Sequence, residues 1–410
     1  MIATLAFSLI AALIGALAAT RLRLPLLVGY LLGGVLIGPF TSRLADARLA
    51  HQVAEVAVIQ LMFGVGLHLS IRDLLRVRTL AIPGALLQMA SATCLGAALA
   101  FGWGWSPGGG LVFGLALSVA STVVLLRALQ AQGTLSSEAG RIAVGWLIVE
   151  DLLMVLILVL LPAFAGALGG QAPGHGHAPQ SAHAGSVLAL VGVTLVKVAA
   201  FFAVMLLAGK PLLRRVLKRV EQVGSDELLV AALGAIALGV AYCAVQGFGV
   251  SFALGAFVAG LVLNGSDLGE AATKHLHTIQ NALVVLFFVA VGMLFDPAIL
   301  LQAPLRVLAV VAVIVIGKAM AALALALVFR RTWPTALTIA ASVAQIGEFS
   351  FILAGLGLSM RLLPPEGLNL IVAGALFSIA LNPLLFRLVR TLEHRTRVPA
   401  AEGRVASAQT

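Results

Sequence analysis

Long apolar stretches run along almost the whole chain, and short breaks that contain Gly, Pro or charged residues separate them. Many of these stretches approach the ~20 residues that a helix needs to cross a bilayer. Reading the stretches against the breaks predicts about 13 spanning helices, and therefore an all-α membrane protein. Their approximate bounds are 2–19, 26–40, 53–69, 79–102, 110–130, 142–164, 186–209, 227–246, 250–264, 281–295, 304–329, 333–357 and 366–388.

The composition agrees with this pattern, because the 410 residues are 61% hydrophobic and only 10% charged, against about 25% charged in soluble domains. The net charge of +10 does not indicate nucleic-acid binding, since the basic residues lie in short loops on one side of the predicted membrane. Of the 26 Lys and Arg residues, only Arg43, Arg48, Arg306 and Arg361 fall on the other side, and Lys197 and Lys318 fall inside spans. This asymmetry predicts an external N-terminus and a cytoplasmic C-terminus, which requires an odd number of spans.

Two adjacent carboxylates, Glu150 and Asp151, interrupt the apolar stretch from Ile142 to Leu161. Asp151 lies roughly 14 Å from the end near Arg141, close to the middle of the hydrocarbon layer. An ionised group at that depth costs about 2.5–3.5 kcal/mol or more. We therefore expect a partner, a water-filled cavity or a functional role for this pair.

The two halves of the chain resemble each other at a nearly constant spacing. Because seven predicted spans separate the matching segments, the second copy should have inverted topology, as in many secondary transporters. The matching segments are 32–34 with 254–256, 65–67 with 291–293, and 118–120 with 342–344. The predicted organisation is a first inverted six-helix repeat (1–165), an external His/Gly/Pro loop with a linker helix and a basic cytoplasmic loop (166–226), a second inverted repeat (227–390) and a cytoplasmic tail (391–410).

The fifth span of each half carries polar residues at mid-membrane depth, namely Ser121 and Thr122 in the first half and Gln345 and Glu348 in the second. Such positions predict two broken helices, because unwound backbone is tolerated at that depth only where it lines a cavity or is buried in protein.

Two lysines, Lys318 and Lys197, lie at a depth similar to that of Asp151, and depth alone does not decide which one pairs with the carboxylates. Glu55 and His68 are secondary candidates on the third span. His175, His177 and His183 lie in a Gly/Pro/Ala-rich loop without other ligand-type residues, so we predict no metal site and no cofactor.

Seven segments together resemble the monovalent cation:proton antiporter-2 superfamily, and most closely its Kef-type and YbaL-like potassium/proton antiporters. The resemblance extends from Leu24 to Pro383. The segments are 26–34, 63–67, 118–122, 150–151, 255–260, 287–293 and 345–349.

The resemblance implies two inverted repeats with crossed broken helices, arranged as a dimerisation domain and a mobile core that moves like an elevator. It places the ion-binding carboxylate at Asp151, the preceding position (often Gln in Kef-type members) at Glu150, and the basic partner at Lys318. The crossover positions fall on Ser121, Thr122, Gln345 and Glu348. It further implies a homodimer in the bacterial inner membrane, whose lipids surround it. Kef-type members carry a cytoplasmic nucleotide-binding domain after the last helix, and we expect it to be missing here.

The function that follows is the exchange of a monovalent cation, K+ in preference to Na+, for protons by alternating access. A dehydrated carboxyl group binds either a proton or a cation, since burial disfavours its free ionised form. The alternatives are a cation channel and an ion-sensing protein with a non-transporting antiporter fold. An enzyme is not predicted, because no nucleophile elbow, metal motif or phosphate loop is present.

Overall fold

The computed structural model describes residues 2–38, 47–68, 71–135, 137–171, 184–264 and 267–396, and every regular element in these ranges is a helix. Most of the predicted external His-rich loop therefore lies outside the described residues. The helices are α1 (Ile2–Arg21), α2 (Leu26–Ile37), α3 (Ala47–His68), α4 (Ile71–Gly102), α5 (Pro107–Ser118), α6 (Thr122–Ala131), α7 (Glu138–Phe164), α8 (Ala184–Val204), α9 (Lys210–Val223), α10 (Asp226–Phe248), α11 (Phe252–Leu263), α12 (Asp267–Met293), α13 (Ile299–Gln302), α14 (Pro304–Ala312), α15 (Lys318–Val328), α16 (Trp333–Val343), α17 (Glu348–Ser359) and α18 (Pro365–Thr396).

Helix starts follow local chemistry that is readable in the sequence. Ser106 precedes Pro107 and accepts a hydrogen bond from Gly109 N at 3.1 Å, which caps α5. Ser225 caps α10 in the same way by accepting from Leu228 N at 3.1 Å. These caps satisfy N–H groups that a helix end leaves without intrahelical partners.

Seven helical stretches of the described residues are long and apolar enough to cross a membrane, and α16 with α17 forms an eighth, bent by 41°. Five further apolar helices are shorter than the others: Ala6–Arg21, Leu26–Ile37, Gln52–Leu67, Phe252–Leu263 and Gln280–Met293. The structure is thus that of a helical, multi-pass membrane protein.

The helices pack as two groups. Helices α1, α2, α3, α10, α11 and α12 contact one another and form what we call the scaffold bundle, whereas α4–α7 and α14–α18 form the core bundle. Helix α8 contacts α7 of the core bundle and α10 of the scaffold bundle, so it links the two.

Both predicted helix interruptions are present in the core bundle. The first lies between Ser118 and Thr122, and the second lies between Val343 and Glu348. A turn of π-helix at Val313–Gly317 separates α14 from α15, and it places Lys318 at the start of α15. Such π-helical turns are rare overall, and those that occur often lie at functional sites.

Candidate functional site

The two helix interruptions meet at the side chain of Gln345. Ser121 N donates to Gln345 Oε1 at 2.9 Å, and Gln345 Nε2 donates to Ser121 O at 3.0 Å. The amide side chain thus pairs with unwound backbone as a neighbouring strand would, and it satisfies polar groups that are costly to bury unpaired.

Gly347 allows the interruptions to approach each other. A Cβ atom at this position would lie 2.5 Å from Ser121 Cβ, closer than real contacts allow. Only glycine therefore fits at this crossing without displacement of backbone.

Glu150 stabilises the first interruption. Its Oε2 atom accepts a hydrogen bond from Ala120 N at 2.8 Å, and its side chain is fully buried. Its other oxygen, Oε1, is buried without a hydrogen-bond partner among the described residues.

Asp151 follows Glu150 on α7 and points about 100° away around the helix axis. Asp151 Oδ2 accepts from Thr122 Oγ1 at 2.9 Å, at the first residue of α6. Asp151 Oδ1 is buried and has no hydrogen-bond partner among the described residues, although the residue is 7% exposed. One of the two oxygens of this carboxylate is therefore not engaged by a described residue.

Glu348 is the third buried carboxylate of the cluster, and it begins α17. Ser121 Oγ donates to Glu348 Oε2 at 3.3 Å across the two interruptions. The positive end of the α17 dipole favours a negative group at this position.

Lys318 contributes the positive charge of the cluster. Its fully buried side chain donates from Nζ to Gln345 O at 2.9 Å, and Glu150 is its electrostatic neighbour. Asp151 has Glu348 and Glu150 as its own charged neighbours. The cluster thus contains three carboxyl groups and one amine, so full ionisation would leave an excess of negative charge that protons or cations can compensate.

Lys197 and Glu55 lie outside this cluster. Lys197 is exposed on α8, where its Nζ approaches the backbone position of Gly249. Glu55 is exposed on α3, and the side chain of His68 lies outside the described part of the chain.

Two buried residues that support the site were not predicted from the sequence. Gln88 Nε2 donates to Ser118 O at 3.1 Å, the last residue before the first interruption, and Trp146 Nε1 donates to Gln88 Oε1 at 3.4 Å. Gln88 is an isolated amide in an apolar stretch of α4, and this position is the sequence feature that could have identified it.

Asn382 on α18 supports the second interruption by donating from Nδ2 to Ala341 O at 3.0 Å. Its side chain is 1% exposed. The unwound segments are thus held from α4, α7, α15 and α18 together.

Known proteins resemble the chain over most of its length. YbaL of Escherichia coli strain K12, which carries the name of a cation/proton antiporter, is 52% identical over 98% of this chain and 72% of its own length. K(+) efflux antiporter 4 of Arabidopsis thaliana is 30% identical over 96% of this chain and 64% of its own length. The glutathione-regulated potassium-efflux system protein KefC of Cronobacter sakazakii is 30% identical over 94% of this chain and 60% of its own length.

A solved structure shares the fold. The sodium proton antiporter MjNhaP1 from Methanocaldococcus jannaschii superposes with a TM-score of 0.67 over 95% of this chain and 98% of its own, at 15% sequence identity. The family described as "Sodium/hydrogen exchanger, transmembrane" matches residues 8–389. These relatives are transporters and not enzymes, and the ions they exchange are substrates and not cofactors. The chain therefore belongs to the sodium/hydrogen exchanger family of cation/proton antiporters.

Proposed function

We infer that this chain exchanges a monovalent cation for protons across the membrane, with K+ preferred to Na+, and that Asp151 is the shared binding site. The observation that carries this proposal is the unpartnered Oδ1 atom of a buried carboxylate beside two helix interruptions. Exposed helix ends at such interruptions are where antiporters and related transporters hold their ions.

The geometry suggests how one carboxylate couples two ions. Thr122 Oγ1 donates a hydrogen bond to Asp151 Oδ2, so the other carboxylate oxygen, Oδ1, receives either a proton or a partly dehydrated cation. The two occupants exclude each other, because protonation removes the charge that attracts the cation. If the site faces one side of the membrane at a time, exchange is obligatory.

Glu150 and Lys318 form the fixed part of this site. Glu150 is tied to Ala120 N and has Lys318 as its counter-charge, whereas Lys318 is tied to Gln345 O. We assign them the role of holding the interruptions in place and balancing charge as Asp151 is loaded. Ser121, Gln345 and Glu348 line the crossover around that site.

The preference for K+ rests on relatives named as a K(+) efflux antiporter and as a potassium-efflux system protein, each 30% identical over nearly the whole chain. The sodium antiporter structure supports the fold alone, because its sequence identity is 15%.

Reconstituted transport tests the proposal. The full chain in liposomes that contain a pH-sensitive dye is exposed to K+, Na+ and Li+ gradients. We expect a dye response in the wild type, largest with K+. Asp151→Asn should reduce it to the level of protein-free liposomes, because the amide neither binds a proton nor carries a charge. Glu55→Gln is the matched control, since this exposed carboxylate lies outside the cluster, and it should transport as the wild type does.

The same assay separates the alternatives. A cation channel would pass K+ current without moving protons, and a non-transporting sensor would bind ions without a dye response. Equal responses from wild type and Asp151→Asn would reject Asp151 as the shared site.

We further propose thirteen membrane spans in two inverted repeats, at 1–165 and 227–390, joined by the linker segment 166–226. The seven long stretches, the bent pair and the five shorter apolar helices together supply this number. Each half contributes first to the scaffold bundle and then to the core bundle, as a repeat requires.

Glycine contacts in the scaffold bundle support the repeat. Gly34 of α2 and Gly292 of α12 each face the other helix's backbone so closely that a Cβ would collide. Gly66 of α3 and Gly260 of α11 make the corresponding contact. Inversion exchanges α2 with α11 and α3 with α12, so the two helix pairs are equivalent under the proposed symmetry.

The orientation that we propose places the N-terminus outside and the C-terminus in the cytoplasm of the bacterial inner membrane, following the loop asymmetry of basic residues. A homodimer that associates through the scaffold bundle, as the resemblance to Kef-type proteins implies, completes this arrangement.

A further inference from the structure

A cavity of about 450 Å³ opens between the scaffold and core bundles, and none of the four charged residues of the carboxylate cluster lines it. The corner between α1 and α2 forms its scaffold side, and α6 with the second half of α18 forms its core side. This volume lies within the ~300–1,000 Å³ range of small-ligand sites.

Four arginines give the cavity its charge. Arg23 lies at the α1–α2 corner, Arg127 lies on α6, and Arg387 and Arg390 lie on α18. Among the described residues that line the cavity, none is acidic. Arg387 and Arg390 are three residues apart, so they share one face of their helix.

These four arginines lack the carboxylate partners that Arg331 and Arg306 have. Arg331 pairs with Glu138 at 2.7 Å, and Arg306 pairs with Glu366. No described carboxylate forms such a pair with Arg23, Arg127, Arg387 or Arg390. The unequal distribution of basic loop residues across the membrane explains why arginines lie on this side. It does not explain why four of them line one cavity that has no acidic residue among its described lining.

The chemistry of the cavity selects its ligand. Guanidinium groups bind phosphate oxygens through pairs of parallel charge-assisted hydrogen bonds, and several around one space favour a multiply charged anion. We propose that this cavity binds a phosphate-bearing anion, either the headgroup of an anionic phospholipid or a soluble organic phosphate.

The ligand would connect parts that belong to different bundles. Arg23 is fixed to the scaffold bundle at a left-handed turn (φ 57°) that ends α1, whereas the other three arginines belong to the core bundle. Asn382 also lines the cavity, and it donates to Ala341 O three residues before the second interruption. An anion held by both bundles restrains their relative movement, so its binding slows exchange. This last step rests on the proposed function, but the binding itself does not.

Thermal unfolding of the full chain in nanodiscs tests binding without any transport. In the soluble arm, pyrophosphate is titrated into nanodiscs of phosphatidylcholine. In the lipid arm, part of the phosphatidylcholine is replaced by phosphatidylglycerol. We expect at least one arm to raise the Tm of the wild type, since a ligand that binds only the folded state stabilises it.

Variants then locate the site. The quadruple variant Arg23→Gln/Arg127→Gln/Arg387→Gln/Arg390→Gln should lose the Tm shift, and each single variant should weaken the apparent affinity by about tenfold. A matched quadruple variant, Arg21→Gln/Arg215→Gln/Lys218→Gln/Arg219→Gln, removes the same charge from exposed positions outside the cavity. It should keep the shift.

The outcomes are distinguishable. The absence of a wild-type shift in both arms, or an equal loss in the matched variant, would overturn the anion site. A shift that the cavity variants lose, without slower exchange when the ligand is present on the same side in transporting liposomes, would overturn the restraint on movement. A transport failure with an intact Tm shift would contradict the proposed function and leave the site standing.

Discussion

Lys318 is a buried charged residue that depends on its neighbours to compensate its charge. Its ammonium group is fully buried, donates to Gln345 O and balances the charge of Glu150. Removing one partner from a buried pair is costly, because the other charge stays buried without compensation.

Lys318→Met should therefore destabilise the folded protein by about 3–5 kcal/mol. Lys197→Met should change stability little, since that side chain is exposed. Thermal or denaturant unfolding in detergent measures both. The double variant Lys318→Met/Glu150→Gln should recover most of the loss, and a double variant as unstable as the single one would contradict the pairing.

At the scale of elements, the crossing of the two helix interruptions depends on the small size of Gly347. Gly347 lies against Ser121 with no room for a Cβ, whereas Gly355, eight residues further along α17, has no neighbouring atom within 4 Å of its Cβ position. Replacing each glycine with alanine therefore distinguishes a steric effect at Gly347 from an effect of helix propensity at Gly355.

Gly347→Ala should destabilise the fold by about 1–3 kcal/mol, because overpacking forces backbone to move. The same change should lower transport, since the moved backbone carries Gln345 and Glu348. Gly355→Ala should be neutral or stabilising by about 0.5–1 kcal/mol, as expected for alanine inside a helix. Unfolding and dye-based exchange of both variants measure this contrast, and equal effects would argue against a crossing limited by space.

At the scale of the whole molecule, the number of spans depends on the shorter helices. Three helices, α10, α11 and α12, separate Glu221 from Gln302, and α11 has only 12 residues. If all three cross the membrane, Glu221 and Gln302 lie on opposite sides. If α11 does not cross, they lie on the same side.

Thiol labelling distinguishes the two topologies. In a Cys94→Ala/Cys243→Ala background, a membrane-impermeant maleimide should label Gln302→Cys in intact cells. Glu221→Cys should react only after the membrane is permeabilised. Both positions are exposed in the structure. Equal labelling of the two variants in intact cells, whether both react or neither reacts, would contradict thirteen spans and the proposed orientation.

The sequence by itself determined the class of protein, the adjacent carboxylates Glu150 and Asp151 within an apolar stretch and the positions of both helix interruptions. These features are readable because they are local. Apolar length sets a span, and a charged or amide side chain within a span is costly enough to be noticed.

Only the tertiary structure decided which residues meet. It placed Lys318 in the cluster and Lys197 at the surface, it paired Gln345 with the backbone of Ser121, and it added Gln88 and Trp146 as supports. It also gathered four arginines, from α6, α18 and the α1–α2 corner, around one cavity. Contacts between segments far apart in the chain depend on packing angles and helix rotation, and the apolar pattern of each span, which faces lipid on one side and protein on the other, leaves these undetermined.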